Sequence, residues 1–236
     1  MINLDAKKLY EFYRSKNINY FYHANSVATS CSFIEIGGLL SRESTIRKKL
    51  LITSQDSDDI DKKYNVFNDI FLDVFDLHGY FPRENAYGPI TFVIDNSFLL
   101  DDKLPNICIT KDNPIYWKAS HSIVQRYYSS IDEYKNEFEY NLANKSIQRK
   151  MLTIHDTDKK LPFKKYLKKI IIDNPNISMQ KIDLYNFAKS EIYNSLKKTL
   201  FCEDIVEERK CINCFCCKNY HNYDSIKLKR LFLINS

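Results

Sequence analysis

Glycine is scarce in this sequence: four in 236 residues, at positions 37, 38, 79 and 88. No G-x-G-x-x-G, G-x-x-x-x-G-K-[ST] or G-x-S-x-G can be written with them. The phosphate-cradling loops of the common nucleotide-binding folds and the nucleophile elbow of serine hydrolases are therefore excluded. None of the five histidines opens an H-E-x-x-H, which removes the usual zinc-protease helix. No stretch approaches the roughly 20 consecutive apolar residues of a membrane span, and Met1-Ile-Asn-Leu-Asp5 lacks the basic-then-apolar pattern of a secretion signal. The seven cysteines are odd in number and crowded toward the C-terminus, unlike a secreted disulfide framework. A cytoplasmic protein without membrane association is the expectation.

Hydrophobic residues make up 44% of the chain, including 17 Tyr and 15 Phe, enough for a sizeable core. The length suits one domain with a small appendage: a single α+β domain over residues 1–200 and a Cys-rich tail over 201–236. The net charge of +5 is unevenly spread. Ten basic residues face only three acids between Lys145 and Lys181, so the remaining chain is slightly acidic.

Hydrophobic spacing predicts helices over 4–16, 27–36, 116–142 and 180–201. Ser26 or Thr29 would cap the second and Gly37-Gly38 would stop it. Short β-rich runs fall at 20–22, 69–75, 89–95, 106–110, 151–155 and 170–173, and the polar segment 53–65 reads as a surface loop. Strands and helices mix without a βαβ rhythm, which argues for α+β.

Cys211, Cys214 and Cys217 with His221 have the ligand types and spacing of a structural zinc knuckle, with unligated buried cysteines as the alternative. The segment 159–169 interleaves Lys159, Lys160, Lys164, Lys165, Lys168 and Lys169 with Leu161, Phe163, Tyr166 and Leu167. Lysines neutralise phosphates and aromatic rings stack on unpaired bases, so single-stranded DNA or RNA is an expected partner. A solvated helix face over an apolar stripe explains the same pattern. Asp69 and Asp73 would share a strand face, as a metal-dependent nuclease needs.

Tyr22-His23 ends a strand, the small polar residues Ala24-Asn25-Ser26 open a helix, and Gly38-Leu39-Leu40 follows it. The runs 69–75 and 89–95, and then Ile109-Thr110-Lys111-Asp112-Asn113, come in turn. Over residues 20–155 this order resembles DarT-type ADP-ribosyltransferases, which modify single-stranded nucleic acid using NAD. The resemblance implies an ADP-ribosyltransferase-like split β-sheet with flanking helices, holding NAD without a glycine-rich loop. His23 would bond the nicotinamide-side ribose, with Tyr22, Asn25 and Arg42 as further cofactor-binding residues. The family's essential arginine has Lys62 and Lys63 near its place, with Arg42 and Arg47 earlier. Its catalytic glutamate falls near Arg149-Lys150-Met151, leaving Glu139 and Glu191 as candidate carboxylates beside His23. The expected function is NAD-dependent transfer of ADP-ribose to nucleic acid, in a toxin or phage-defence setting with an antitoxin or defence partner protein. The alternatives are a non-catalytic zinc-stabilised nucleic-acid-binding module and a metal-dependent nuclease.

Overall fold

A computed structural model describes residues 2–81, 84–104, 106–199, 201–210 and 215–234. Its frame is a seven-stranded sheet of β1 (Tyr20–Asn25), β3 (Ile70–Asp73), β4 (Ile90–Asp95), β5 (Ile107–Ile109), β6 (Met151–Ile154), β8 (Leu167–Asn174) and β11 (Val206–Lys210). The order is β11-β8-β4-β1-β3-β6-β5, antiparallel at every pairing except β11 with β8. Two small two-stranded sheets pair β2 (Gly38–Leu39) with β7 (Leu161–Pro162) and β9 (Ser178–Met179) with β10 (Ile182–Asp183). The fold class is α+β. No helix among the described residues is long and apolar enough to cross a membrane.

Local chemistry sets the first elements. Asp5 Oδ1 accepts the Lys8 amide at 3.0 Å and opens α1 (Ala6–Ser15), which buries Leu9, Phe12 and Tyr13. Ser26 caps α2 (Val27–Ile36), and Gly37 ends it in the left-handed conformation at φ 74°, where an L side chain would be strained. Eight of the ten residues of α2 are buried, which places this helix inside the molecule beneath α9 (Leu184–Lys197).

Three expectations are corrected. The segment 53–65 is not all loop: α3 (Arg42–Arg47) is followed by α4 (Asp58–Lys63), whose first turn carries Asp58, Asp59 and Asp61 where the helix dipole favours negative charge. Residues 116–142 are not one helix. A capping box at Ser122 starts α6 (Ile123–Arg126), and the chain then extends so that Tyr127 bridges Thr110 and Tyr128 N–H bonds the Ile109 carbonyl at 3.1 Å. Both tyrosine rings are buried by that detour before α7 (Ile131–Ala143) begins. The lysine-rich segment is not a helix face: it passes through β7 and the single turn α8 (Phe163–Tyr166) into the long strand β8.

Between β3 and β4 lies the single turn α5 (Leu77–Tyr80). The tail adds β11, α10 (Cys216–Asn222) and α11 (Ser225–Phe232), and sends Tyr220, Leu228, Leu231 and Phe232 into the main core. Tyr220 and His78 of α5 meet the buried carboxylate Asp173 of β8 at 2.8 and 2.7 Å, while Arg209 of β11 grips Asp76 through two bonds.

Candidate functional site

The strand β1 runs through the middle of the sheet, between β4 and β3, and carries His23 and Asn25 on one face. They open into a cleft of ≈ 690 Å³, counting the part exposed to solvent. Arg42 of α3, Gln55, Ser57, Asp61 of α4, Asp69, Asp73 of β3, Tyr87 and Met151 complete most of its polar and apolar lining.

The His23 ring is fixed. Nδ1 lies 2.9 Å from the Phe71 carbonyl oxygen, which can only accept, so Nδ1 carries the proton. Nε2 keeps its lone pair and receives the Asn25 amide at a long 3.4 Å. Burial, ahead of the Phe71 bond that opposes it and the nearby Arg42 charge that adds to it, holds the imidazole below its ordinary pKa. The other end of the Asn25 amide accepts Ser26 N–H at 3.0 Å, which fixes its orientation.

Arg42 is gripped on one side only. Its Nε and Nη2 donate to the two Asp58 oxygens at 3.0 and 2.7 Å. Nη1 is buried and has no hydrogen-bond partner among the described residues. An orphaned guanidinium nitrogen beside a cleft is an unspent donor, costly to bury unless a ligand takes it.

Three aspartates line the same space. Asp69 is consumed by structure, with Oδ2 on His155 Nδ1 at 2.8 Å and Oδ1 on the Asp156 amide at 2.9 Å. Asp73 ends β3 opposite Tyr22. Asp61 is pushed up to about 7 by burial, with Asp58 and Asp69 adding and the Ser57 bond and Arg42 opposing. No three His, Cys, Asp or Glu side chains among the described residues are arranged to hold a metal ion.

Gly88 makes the site's far wall possible. Its φ is 148°, and a Cβ there would fall 2.2 Å from the Asn25 carbonyl oxygen. Only glycine lets the 85–88 turn come so near β1, which brings Tyr87 over the cleft.

No protein-family model matches this chain, and no curated protein matches it.

The structure thus gathers three of the expected residues, His23, Asn25 and Arg42, in one cleft. Tyr22 lies on the opposite face of β1 and is not part of its lining. Glu139 does not belong to it either: it sits on the exposed side of α7 and pairs with Lys16. Glu191 lies on α9 against Ile182, Phe187 and Leu233, in a separate shallow depression. At the strand where the family's acid would stand, Met151 lines the cleft, while Lys150 turns its ammonium to the Lys111 carbonyl. Asp61 and Tyr87 were missed; Asp61 stood in a segment read as solvated loop, and nothing local distinguished it from Asp58 or Asp59.

The lysines are mostly engaged. Lys165, Lys168 and Lys169 pair with Asp101, Asp95 and Glu207 at 3.0, 3.3 and 2.7 Å, and Lys159 and Lys160 bond the carbonyls of Lys103 and Ile36. Lys164 is exposed, with no ion pair among the described residues. A separate, more aromatic groove is walled by Lys62, Tyr64, Phe67, Ile123 and Arg126, with the acids Glu43 and Asp156 also in its lining. There Arg126 stacks 4.7 Å from the Tyr64 ring centre and Lys62 sits 5.0 Å from that of Phe67. Of the proposed zinc ligands, Cys211 and Cys214 lie outside the described residues. Cys217 and His221 stand one turn apart on α10, with His221 Nδ1 held 2.7 Å from the Cys217 carbonyl oxygen. Cys216 is buried and disulfide-bonded, which takes it out of any ligand set.

Proposed function

We propose that the protein is an NAD-dependent ADP-ribosyltransferase-like enzyme acting on single-stranded nucleic acid, with the sheet serving as the split platform of that fold. The observation that carries the reading is the convergence of two groups on one cleft: the His23 Nε2 lone pair, held only by the long Asn25 contact, and the buried Arg42 Nη1, which has no hydrogen-bond partner among the described residues. A ribose hydroxyl can donate to Nε2 in place of the long Asn25 contact. A phosphate oxygen can accept from Nη1. The cleft needs no glycine-rich loop, in keeping with a chain that cannot write one.

In the proposed reaction a nucleophilic atom of the acceptor forms a bond to C1′ of the nicotinamide ribose. The C–N glycosidic bond breaks, nicotinamide leaves with the electron pair, and the acceptor gives up its proton. Positioning and electrostatic stabilisation of the cationic sugar do most of such work. Asp61, a buried carboxylate of the cleft lining, is the group we assign to that stabilisation in place of a glutamate. The groove at Tyr64, Phe67 and Arg126 would receive the acceptor strand by stacking.

A second reading, a binding module that holds NAD or nucleic acid without transfer, is favoured by the absence of any glutamate from the cleft lining among the described residues. Incubation with NAD labelled on the adenylate, together with single-stranded DNA or RNA, separates the two. Label on the nucleic acid, lost in His23→Ala, supports transfer; binding without nicotinamide release favours the module. A structural zinc at Cys211, Cys214, Cys217 and His221 is a separate proposal, which metal analysis of the purified protein decides.

A further inference from the structure

The cleft does not end at Tyr87. A second lobe of ≈ 570 Å³, again counting solvent-open space, shares Asn25, Gln55, Ser57 and Tyr87 with the first. Its outer wall comes from the C-terminal segment, through Arg230 and Leu231 of α11. The remaining lining divides by character. Ile115, Leu231 and Tyr87 offer apolar surface, while Thr53, Ser54, Gln55 and Ser57 offer polar groups. The Gln55 side-chain amide makes no hydrogen bond among the described residues, although its backbone N–H bonds Asp58 at 3.0 Å.

Arg230 supplies the charge. Its Nη1 donates to Asp56 at 2.9 Å, but the Asp56 side chain is 84% exposed. Ion pairs of that exposure contribute little and exchange readily. The same α11 is firmly placed: Leu228, Leu231 and Phe232 are buried in the core, and the Arg230 carbonyl faces the Thr53 hydroxyl at 3.5 Å. The guanidinium, on a side chain 30% exposed, is thus a charge paired with an exposed carboxylate on a fixed backbone, at the far end of a two-lobed cleft whose near end holds Arg42.

We infer that this second lobe binds the adenosine-5′-diphosphate half of a dinucleotide, with Arg230 exchanging Asp56 for a phosphate oxygen. The apolar walls would take the purine, and Gln55 its hydrogen-bonding edge. The inference rests on the proposed use of NAD and adds a role for the C-terminal segment, which becomes part of the binding site.

The test is calorimetric titration of the full chain with NAD, ADP-ribose, ADP and nicotinamide mononucleotide. Arg230→Ala is expected to weaken NAD, ADP-ribose and ADP tenfold or more and to leave nicotinamide mononucleotide within twofold. Asp56→Asn, an exposed change that does not threaten folding, should tighten ADP-ribose severalfold by removing the competing carboxylate. NAD bound equally by wild type and both variants overturns the inference and leaves the NAD reading standing. Binding of ADP and ADP-ribose without NAD or nicotinamide mononucleotide supports the lobe and overturns the NAD reading. A wild-type chain that binds none of the four overturns both.

Discussion

The Nδ1 atom of His23 lies 2.9 Å from the carbonyl oxygen of Phe71, one strand over in the sheet. That bond chooses the tautomer, and burial keeps the ring neutral. The consequence is a lone pair on Nε2 facing the cleft at neutral pH. Nitrogen-detected NMR should find His23 protonated at Nδ1, titrating below the ordinary histidine value of about 6.5. A midpoint at or above that value, or an Nε2–H tautomer, contradicts the assignment.

Asp61 gives a stability signature of its own. Its folded-state value of about 7 lies above the ordinary carboxylate value of 3.8. Between these pH values the folded chain holds more protons than the unfolded one, so stability falls as pH rises through that window. Asp61→Asn removes the cost. The variant should melt higher than wild type above pH 7, by about 2–4 °C for each kcal/mol recovered, and show no such gain below pH 4. In the same variant ADP-ribose transfer should fall at least 100-fold, the expected loss of an electrostatic stabiliser. Full activity in Asp61→Asn would remove the residue from the mechanism.

The histidine–aspartate pair at β8 is structural. Asp173 is 1% exposed and accepts from His78 and Tyr220, so removing it strands polar groups inside the core. Asp173→Ala should cost about 3–5 kcal/mol in denaturant unfolding. Tyr220→Phe should cost about 1–2 kcal/mol. Losses below 1 kcal/mol in both would mean that the tail is not anchored by this carboxylate.

Nucleic-acid affinity should follow aromatic stacking more than the lysine run. Replacing Lys164, Lys165, Lys168 and Lys169 by glutamine is expected to weaken single-strand binding less than threefold, because three of the four are already ion-paired. Arg126→Ala should weaken it tenfold or more. The reverse order in a fluorescence anisotropy titration would return the interface to the lysine segment.

How far the sequence revealed this can be judged element by element. The helix at 27–36 and its glycine stop were legible because capping and left-handed glycine are local chemistry. The strand carrying His23 was legible too, since alternation and the polar Asn25-Ser26 break mark its end. The break at Tyr127-Tyr128 was not, because the pairing that extends the chain there comes from Thr110, seventeen residues away. The ion pairing within the lysine run was hidden for a similar reason: Asp101, Asp95 and Glu207, which pair with Lys165, Lys168 and Lys169, are brought close only by the fold. Arg42 was named, but its one-sided pairing with Asp58 depends on α4, which the acidic loop pattern concealed.

The central claim is that the cleft at His23 and Arg42 takes NAD and breaks its glycosidic bond. The direct measurement is release of free nicotinamide from NAD, followed by chromatography, with single-stranded nucleic acid present. The account predicts release by the wild-type chain and at least a 100-fold loss in both His23→Ala and Arg42→Ala, with folding unchanged by circular dichroism. No release by a folded wild-type chain, or release undiminished in both variants, would contradict it.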